Sequence, residues 1–356
     1  MKTFIRATGN ISPQKTAGAA ISGALLLPEL VTQTGNRLHC TEPDYLSYID
    51  TKFIRRMSRI IKMGTAAAMD CLREAELKNP DAIVMGTAYG CLDDTGIFLK
   101  KMVEQKEEML TPTAFIQSTH NTIGAQIALM LQCHNYNNTF VHRGFSFESA
   151  LLDAMMLLEE DAATTVLTGA ADEITDYSHA ILSRFGLYKK APISNADLFT
   201  TQSKGTIAGE GAAFFLLSSE SSPKNYAVLD ALHTFYKPAG LKETEEQVTG
   251  FLAGQSIAAA DIDLVITGCN GDTAGDTVYH ALGRSLFSNN ITINYKQLCG
   301  EYPTSTAFAL WLAASIIKQG SLPPVFDLPN AGEIKRILIY NHYENIHHSL
   351  MLVSAC

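Results

Sequence analysis

Two segments of this chain repeat each other, and the repeat limits the folds open to it. Residues 79–95 read NPDAIVMGTAYGCLDDT and residues 261–277 read DIDLVITGCNGDTAGDT. Each has an acidic start, a continuous apolar run, a Gly-Thr or Gly-Cys turn, and a Gly/Asp-rich loop ahead of a helix. A continuous apolar run suits a strand buried on both faces, as in a sheet covered by helices on each side. A second pair, residues 114–132 and 297–314, matches more weakly as polar turns feeding apolar helices. The expectation is a duplicated α/β chain that packs as one body, with halves 1–222 and 223–356 joined through the polar stretch SSESSPKNY at 218–226.

Between these repeats lies NYNNTFVHRGFSFESALLDAMMLLEEDAATTVLTGAADE, residues 135–173. It reads as a strand over 138–142, a sharp turn at Gly144, an apolar helix over about 149–158 and a strand over 164–168. A strand, elbow and buried helix can present a thiol at a helix N-terminus, where the positive end of the dipole favours the thiolate. Here the elbow holds a glycine, which has no side chain to acylate. Read alone, that glycine serves backbone geometry, because it tolerates φ > 0.

Composition narrows the partners. A chain of 356 residues is too long for one small core. A net charge of −9 without a long basic run argues against nucleic acid or an anionic membrane as the main partner. No apolar stretch reaches the length of a membrane span. The opening MKTFIRATGNISP lacks the apolar centre of a signal peptide and reads as a first strand and turn. The seven cysteines are scattered without a CxxC or metal-ligand spacing, which fits free thiols in a reducing cytoplasm. No metal or cofactor is expected.

Several motifs occur together in one order. They are RRMSRIIKMGTAAA at 55–68, THNTIGAQI at 119–127, GTIAGEGAAFFLL at 205–217, Gly275-Asp276 at a loop end, and NYKQLCGEYPTST at 294–306. In this order they resemble the β-ketoacyl synthases of the thiolase-like superfamily, over nearly the whole chain. The resemblance implies a duplicated αβαβα layered fold. It also implies a pocket built from a cysteine nucleophile and two histidines that assist decarboxylation and stabilise an oxyanion.

Carried over position by position, that pocket is degenerate. The family's cysteine lies 25 residues before the Gly-Gly-Ala-Glu-like turn, and counting back from Gly169 gives Gly144. The first histidine falls at Gly268 and the second at Glu301; Lys296 alone remains. The resemblance suggests a salt bridge between Lys296 and Glu301 that fills the space. The family's glycine-rich oxyanion turn falls near Tyr340 to Glu344, which reads YNHYE.

Other nucleophiles stay open: Ser146 flanked by His142 and Glu148, as in a Ser/His/acid set, and Cys269 or Cys299 on the loops that approach the family's pocket. Their bland readings are a helix cap for Ser146 and buried structural thiols for the cysteines. His342, His347 and His348 read as strand and turn residues, and Asp93, Asp94, Asp272 and Asp276 as loop caps.

The resemblance reaches furthest toward the chain-length-factor, or β, subunits that pair with an active ketosynthase in polyketide, polyene or fatty-acid assembly on acyl carrier protein. Phe140, His142, Phe145 and Phe147 are then expected at the tunnel or dimer interface. The alternatives are an acyl-thioester enzyme (condensing, decarboxylase or hydrolase) with a relocated nucleophile, and a homodimer that binds acyl or carrier protein without chemistry.

Overall fold

Alternate residues of the long strands enter different cores, and this alternation stacks the chain into layers. The computed structural model describes residues 2–16, 18, 27–328 and 332–356. Among them, ten strands form one sheet: β1 (Thr3–Ile11), β2 (Ala82–Gly86), β3 (Tyr136–Phe140), β4 (Thr165–Asp172), β5 (Gly211–Ser218), β6 (Ala227–Tyr236), β7 (Leu264–Thr267), β8 (Ile291–Asn294), β9 (Arg336–Tyr343) and β10 (His347–Ser354). Along β5, Ala213, Phe215 and Leu217 enter one core, while Ala212, Phe214 and Leu216 enter another. Along β9, Ile337 and Ile339 join the first core, and Leu338 and Tyr340 a third. A two-residue side-chain period with apolar residues at every position requires cover on both faces.

Helices supply that cover: α1 (Arg59–Glu74), α2 (Leu92–Glu104), α3 (Thr122–Leu131), α4 (Ser146–Glu159), α5 (Asp176–Arg184), α6 (Leu241–Gly254), α7 (Thr277–Ser285) and α8 (Thr306–Gln319). α1 and α3 cover one outer face, and α6 and α7 the other. α4 and α8 lie between the two strand sets and share the central core. α8 is buried from Thr306 to Ile317 on every side, as its nearly unbroken apolar sequence requires. This is the αβαβα layering of the thiolase-like fold.

The strand order is β8-β7-β9-β10-β6-β1-β5-β4-β2-β3. Read outward from the middle, one set runs 1-5-4-2-3 and the other 6-10-9-7-8, so adding five converts one into the other. Pairing sense repeats as well. β1–β5 and β5–β4 are antiparallel, and β4–β2 and β2–β3 parallel. β6–β10, β10–β9, β9–β7 and β7–β8 follow in the same sequence of senses. The sets meet where β1 pairs antiparallel with β6, from Thr3 opposite Leu229 to Ile5 opposite Ala227.

The echo between 79–95 and 261–277 is thus the equivalence of β2 with β7. The echo between 114–132 and 297–314 is not a topological one. α3 lies before the third strand of its set, in an outer layer, whereas α8 joins the third and fourth strands in the central layer. The counterpart of α8 is α4.

The first helix motif also has a long-range function. Arg59 opens α1 and reaches Glu210 of the Gly-Glu-Gly segment with two guanidinium nitrogens, at 2.8 and 2.5 Å. Among the described residues, no helix is long and apolar enough to cross a membrane. All seven cysteines are free thiols, six of them buried.

Candidate functional site

β3 stops at Phe140 because the chain must turn into α4, and one 3-10 turn, Arg143–Phe145, makes the elbow. The left-handed residue of this turn is Arg143, with φ 50°, and not Gly144. Glycine at 144 therefore has another cause. A Cβ added there would lie 2.8 Å from the Tyr343 Cβ and 2.9 Å from the His347 Cβ. The β9–β10 hairpin lies against the elbow, and a residue without a side chain fits beneath it.

That hairpin turns at Glu344 and Asn345, both left-handed at φ 57° and 54°. It occupies the place where the family resemblance puts a glycine-rich oxyanion turn. Tyr343 is the last residue of β9, and Asn341, two positions back on the same face, fills a second place. A Cβ on Gly268 would lie 2.1 Å from the Asn341 Oδ1 and 2.6 Å from the Tyr279 hydroxyl.

From Asn341 a polar chain continues inward. The Tyr295 hydroxyl donates to Asn341 Oδ1 at 2.9 Å. Lys296 Nζ donates to the Ser305 hydroxyl and to Glu301 Oε1, the latter at 2.7 Å. Asn270 Nδ2 donates to Glu301 Oε2, also at 2.7 Å. Lys296 has no exposed surface and Glu301 almost none. Burial raises the Glu301 pKa above the ordinary carboxylate range, opposed by the Lys296 charge and the Asn270 amide. The structure thus brings Gly144, Gly268, Glu301 and Lys296 into one neighbourhood, joined by Tyr343, Asn341, Tyr295 and Ser305. A pocket of about 230 Å³ opens beside it, lined in part by Asn270, Glu301, His342 and Tyr343.

The open nucleophile candidates are placed as follows. Ser146 is fully buried at the start of α4; its hydroxyl accepts from the His142 N–H at 2.8 Å and donates to the Arg143 carbonyl at 2.9 Å. The His142 ring meets Ser149 at 3.4 Å, not Ser146. Glu148 points into the interior with neither carboxyl oxygen hydrogen-bonded. Burial pushes its pKa up to about 7, only partly offset by the Lys296 charge. Ser146, His142 and Glu148 do not assemble. Cys299 is fully buried and its thiol contacts the Gly300 carbonyl at 3.3 Å. Burial pushes the thiols of Cys299 and Cys269 well up, away from the thiolate.

Of the aromatic and histidine positions expected at an interface, Phe140 and His142 lie at or beside the sheet edge, Phe140 half-buried and His142 exposed. Phe145 sits under the hairpin with its ring edge-on to His347 at 4.8 Å. Phe147 is fully buried against Phe215 in the central core, so it faces this chain's own interior.

His342 and His348 are buried strand residues held by Gly275, Asn345 and Tyr340, and burial lowers their pKa values to about 3 and about 4. Asp272 accepts from the Gly205 and Gly275 amides, as a loop cap does. The sequence placed Tyr340 to Glu344 at a turn near the pocket and His347 in a strand, but not the contacts of Tyr343 and His347 with the elbow or of Asn341 with Gly268, because β9 begins nearly two hundred residues after the elbow.

The β3 edge opposite β2 has no strand partner among the described residues. Around it, Leu129, Tyr136, Val141, Leu152 and Met156 are exposed. An unpaired strand edge with an apolar border is a surface for association.

Comparison with known proteins agrees with this architecture. A family profile described as the β-ketoacyl synthase N-terminal domain matches residues 36–231. No curated protein sequence matches the chain. Among solved structures, the ishigamide ketosynthase/chain length factor superposes with a TM-score of 0.81 at 16% identity, covering 100% of this chain and 99% of that one. A β-ketoacyl synthase from Burkholderia phymatum gives 0.76 at 15% identity, covering 100% and 99%. The ketosynthase ApeO in complex with its chain length factor ApeC, from Xenorhabdus doucetiae, gives 0.70 at 15% identity, covering 100% and 98%.

Proposed function

Since the chain belongs to the β-ketoacyl synthase family, we propose that it is a catalytically degenerate member of the chain-length-factor type, pairing with an active ketosynthase in polyketide assembly on acyl carrier protein. The observation that carries this reading is the filled elbow. A nucleophile at 144 needs room that Tyr343 and His347 occupy, and a histidine at 268 needs room that Asn341 and Tyr279 occupy. The third position is a carboxylate already committed to Lys296 and Asn270. A carboxylate has the wrong sign to stabilise a developing oxyanion. A slip of one residue at the elbow puts Arg143 or Phe145 in the nucleophile's place, and neither can carry an acyl group.

The partner in this reading is a ketosynthase docked along β3, where pairing would extend the sheet and cover Val141, Leu152 and Met156. Phe140, on β3 and packed against the central core, is the residue we assign to limiting chain extension. Solved structures that pair a ketosynthase with a chain length factor support the choice of partner by likeness of fold, as does a type II ketosynthase solved with its acyl carrier protein. The reading takes residues 1–222 and 223–356 as the two thiolase-like halves.

The test is intact-protein mass after incubation with malonyl- and acyl-loaded carrier protein, with the chain alone and co-expressed with an active ketosynthase. The expected result is co-purification, no adduct on this chain, and a product whose length changes in Phe140→Ala. A covalent acyl adduct on this chain alone would overturn the proposal, and peptide mapping to Ser146, Cys269 or Cys299 would name the nucleophile.

A further inference from the structure

The loop between β7 and α7 brings together three side chains that the pocket chemistry leaves unused. Cys269 follows the end of β7, Asp276 precedes the first turn of α7, and His280 stands one turn further along that helix. The Cys269 sulfur, an Asp276 carboxylate oxygen and a His280 ring nitrogen all lie within 4.8 Å of one another. Cys269 and Asp276 are buried, while His280 is exposed. No sequence motif marks them, because the loop, rather than a short fixed spacing, brings the cysteine to the helix.

We propose that Cys269, Asp276 and His280 form a zinc site with one coordination position left for water or a small ligand. Thiolate, imidazole and carboxylate together make a zinc donor set, and three protein ligands with an open fourth place is a common arrangement for that ion. Charge supports the assignment, because a thiolate and a carboxylate together balance a divalent cation.

The carboxylate is already oriented. The backbone N–H of Asn270 donates to Asp276 Oδ1 at 2.9 Å and that of Gly271 to Oδ2 at 2.8 Å, the kind of outer support that fixes a metal ligand. Exposed His280 gives the ion a way in. The positive N-terminal end of α7 opposes a cation there, so the two anionic ligands must outweigh it. On binding, the thiol proton is released to solvent and the sulfur–metal bond replaces it.

The site lies behind the candidate pocket. The same loop carries Asn270, which holds Glu301, and Asp272, Ala274 and Gly275, which line the 230 Å³ cavity. A bound ion would tie that loop to α7 and fix one wall of the cavity.

Titration of the metal-free full-length chain with Co²⁺ tests the proposal. The expected result is a thiolate-to-cobalt charge-transfer band with tetrahedral visible bands, saturating at one equivalent and displaced by Zn²⁺. Cys269→Ser should abolish the charge-transfer band. His280→Ala, at an exposed position that leaves the fold intact, should weaken binding at least about tenfold. Absence of the band, its persistence in Cys269→Ser, or unchanged affinity in His280→Ala would each overturn the assignment. If Cys269→Ser does not fold, His280→Ala alone decides it.

Discussion

Lys296 Nζ donates to Glu301 Oε1 across 2.7 Å in the interior, and the two residues hold the centre of a polar chain that runs from Ser305 to Asn270. Removing one partner leaves the other charge buried without compensation. Lys296→Met and Glu301→Gln should each cost about 3–5 kcal/mol in denaturant unfolding. Lys296→Met combined with Glu301→Gln should cost clearly less than the sum of the two single changes. Additive losses would show that the pair is not coupled.

Gly144→Cys should not restore acylation. The new Cβ meets Tyr343 and His347 below 3 Å, and such overpacking costs about 1–3 kcal/mol. The expected outcome is a lower thermal midpoint and no mass adduct on the variant after exposure to acyl-loaded carrier protein.

Two buried glutamates should bend the pH dependence of stability in opposite directions. Glu148 has its pKa pushed up to about 7, so the folded state holds its proton while the unfolded state releases it. Its effect is absent below the unfolded value near 4.5, destabilising as pH rises, and complete above about 7. Glu148→Gln should therefore be more stable than the parent at pH 8, by up to about 3 kcal/mol, with the gap closing toward pH 4.

Glu210 behaves in reverse. Burial would raise it, but hydrogen bonds from His39 and Arg59 and the Arg59 charge hold it down at about 2. The stability it contributes is present above the unfolded value and disappears as pH falls through about 2. Glu210→Gln should destabilise the chain at neutral pH and lose that difference in strong acid. Chemical unfolding across the pH range measures both variants.

The free edge of β3 predicts a surface phenotype. Met156 is 47% exposed and Leu152 49%, so Met156→Glu and Leu152→Glu should each change the stability of the isolated chain by only about 0.5 kcal/mol. In the proposed pairing, both should abolish co-purification with a co-expressed ketosynthase in size-exclusion chromatography with light scattering. Retained pairing would place the interface elsewhere.

Local signals carried much of the fold. The unbroken apolar runs of β2 and β7 and their Gly/Asp loops are adjacent in sequence, so the equivalence of the two strands could be read directly. Layer assignment was less accessible. α3 and α8 both follow polar turns and both are apolar, and periodicity reports burial without saying between which sheets. The helix after the elbow begins at Ser146 rather than about 149, because Phe145-Ser146-Phe147 alternates like a strand while the Ser146 hydroxyl clamps the first turn. The left-handed turn residue fell on an arginine, a residue type that gives no warning of it. Glycine at 144 answers to side chains on β9 and β10, and glycine at 268 to Asn341 on β9 and Tyr279 on α7; the first of these contacts is beyond the reach of any local pattern.

Asn341 and Tyr343 stand two residues apart on one strand and plug two separate places at once. A Cβ introduced at 144 meets the Cβ atoms of Tyr343 and His347, which cannot turn aside, whereas one introduced at 268 meets the outer ends of the Asn341 and Tyr279 side chains. One strand therefore guards two positions with unequal rigidity. For anyone seeking to place a larger side chain at the elbow, the place to begin is the β9–β10 hairpin.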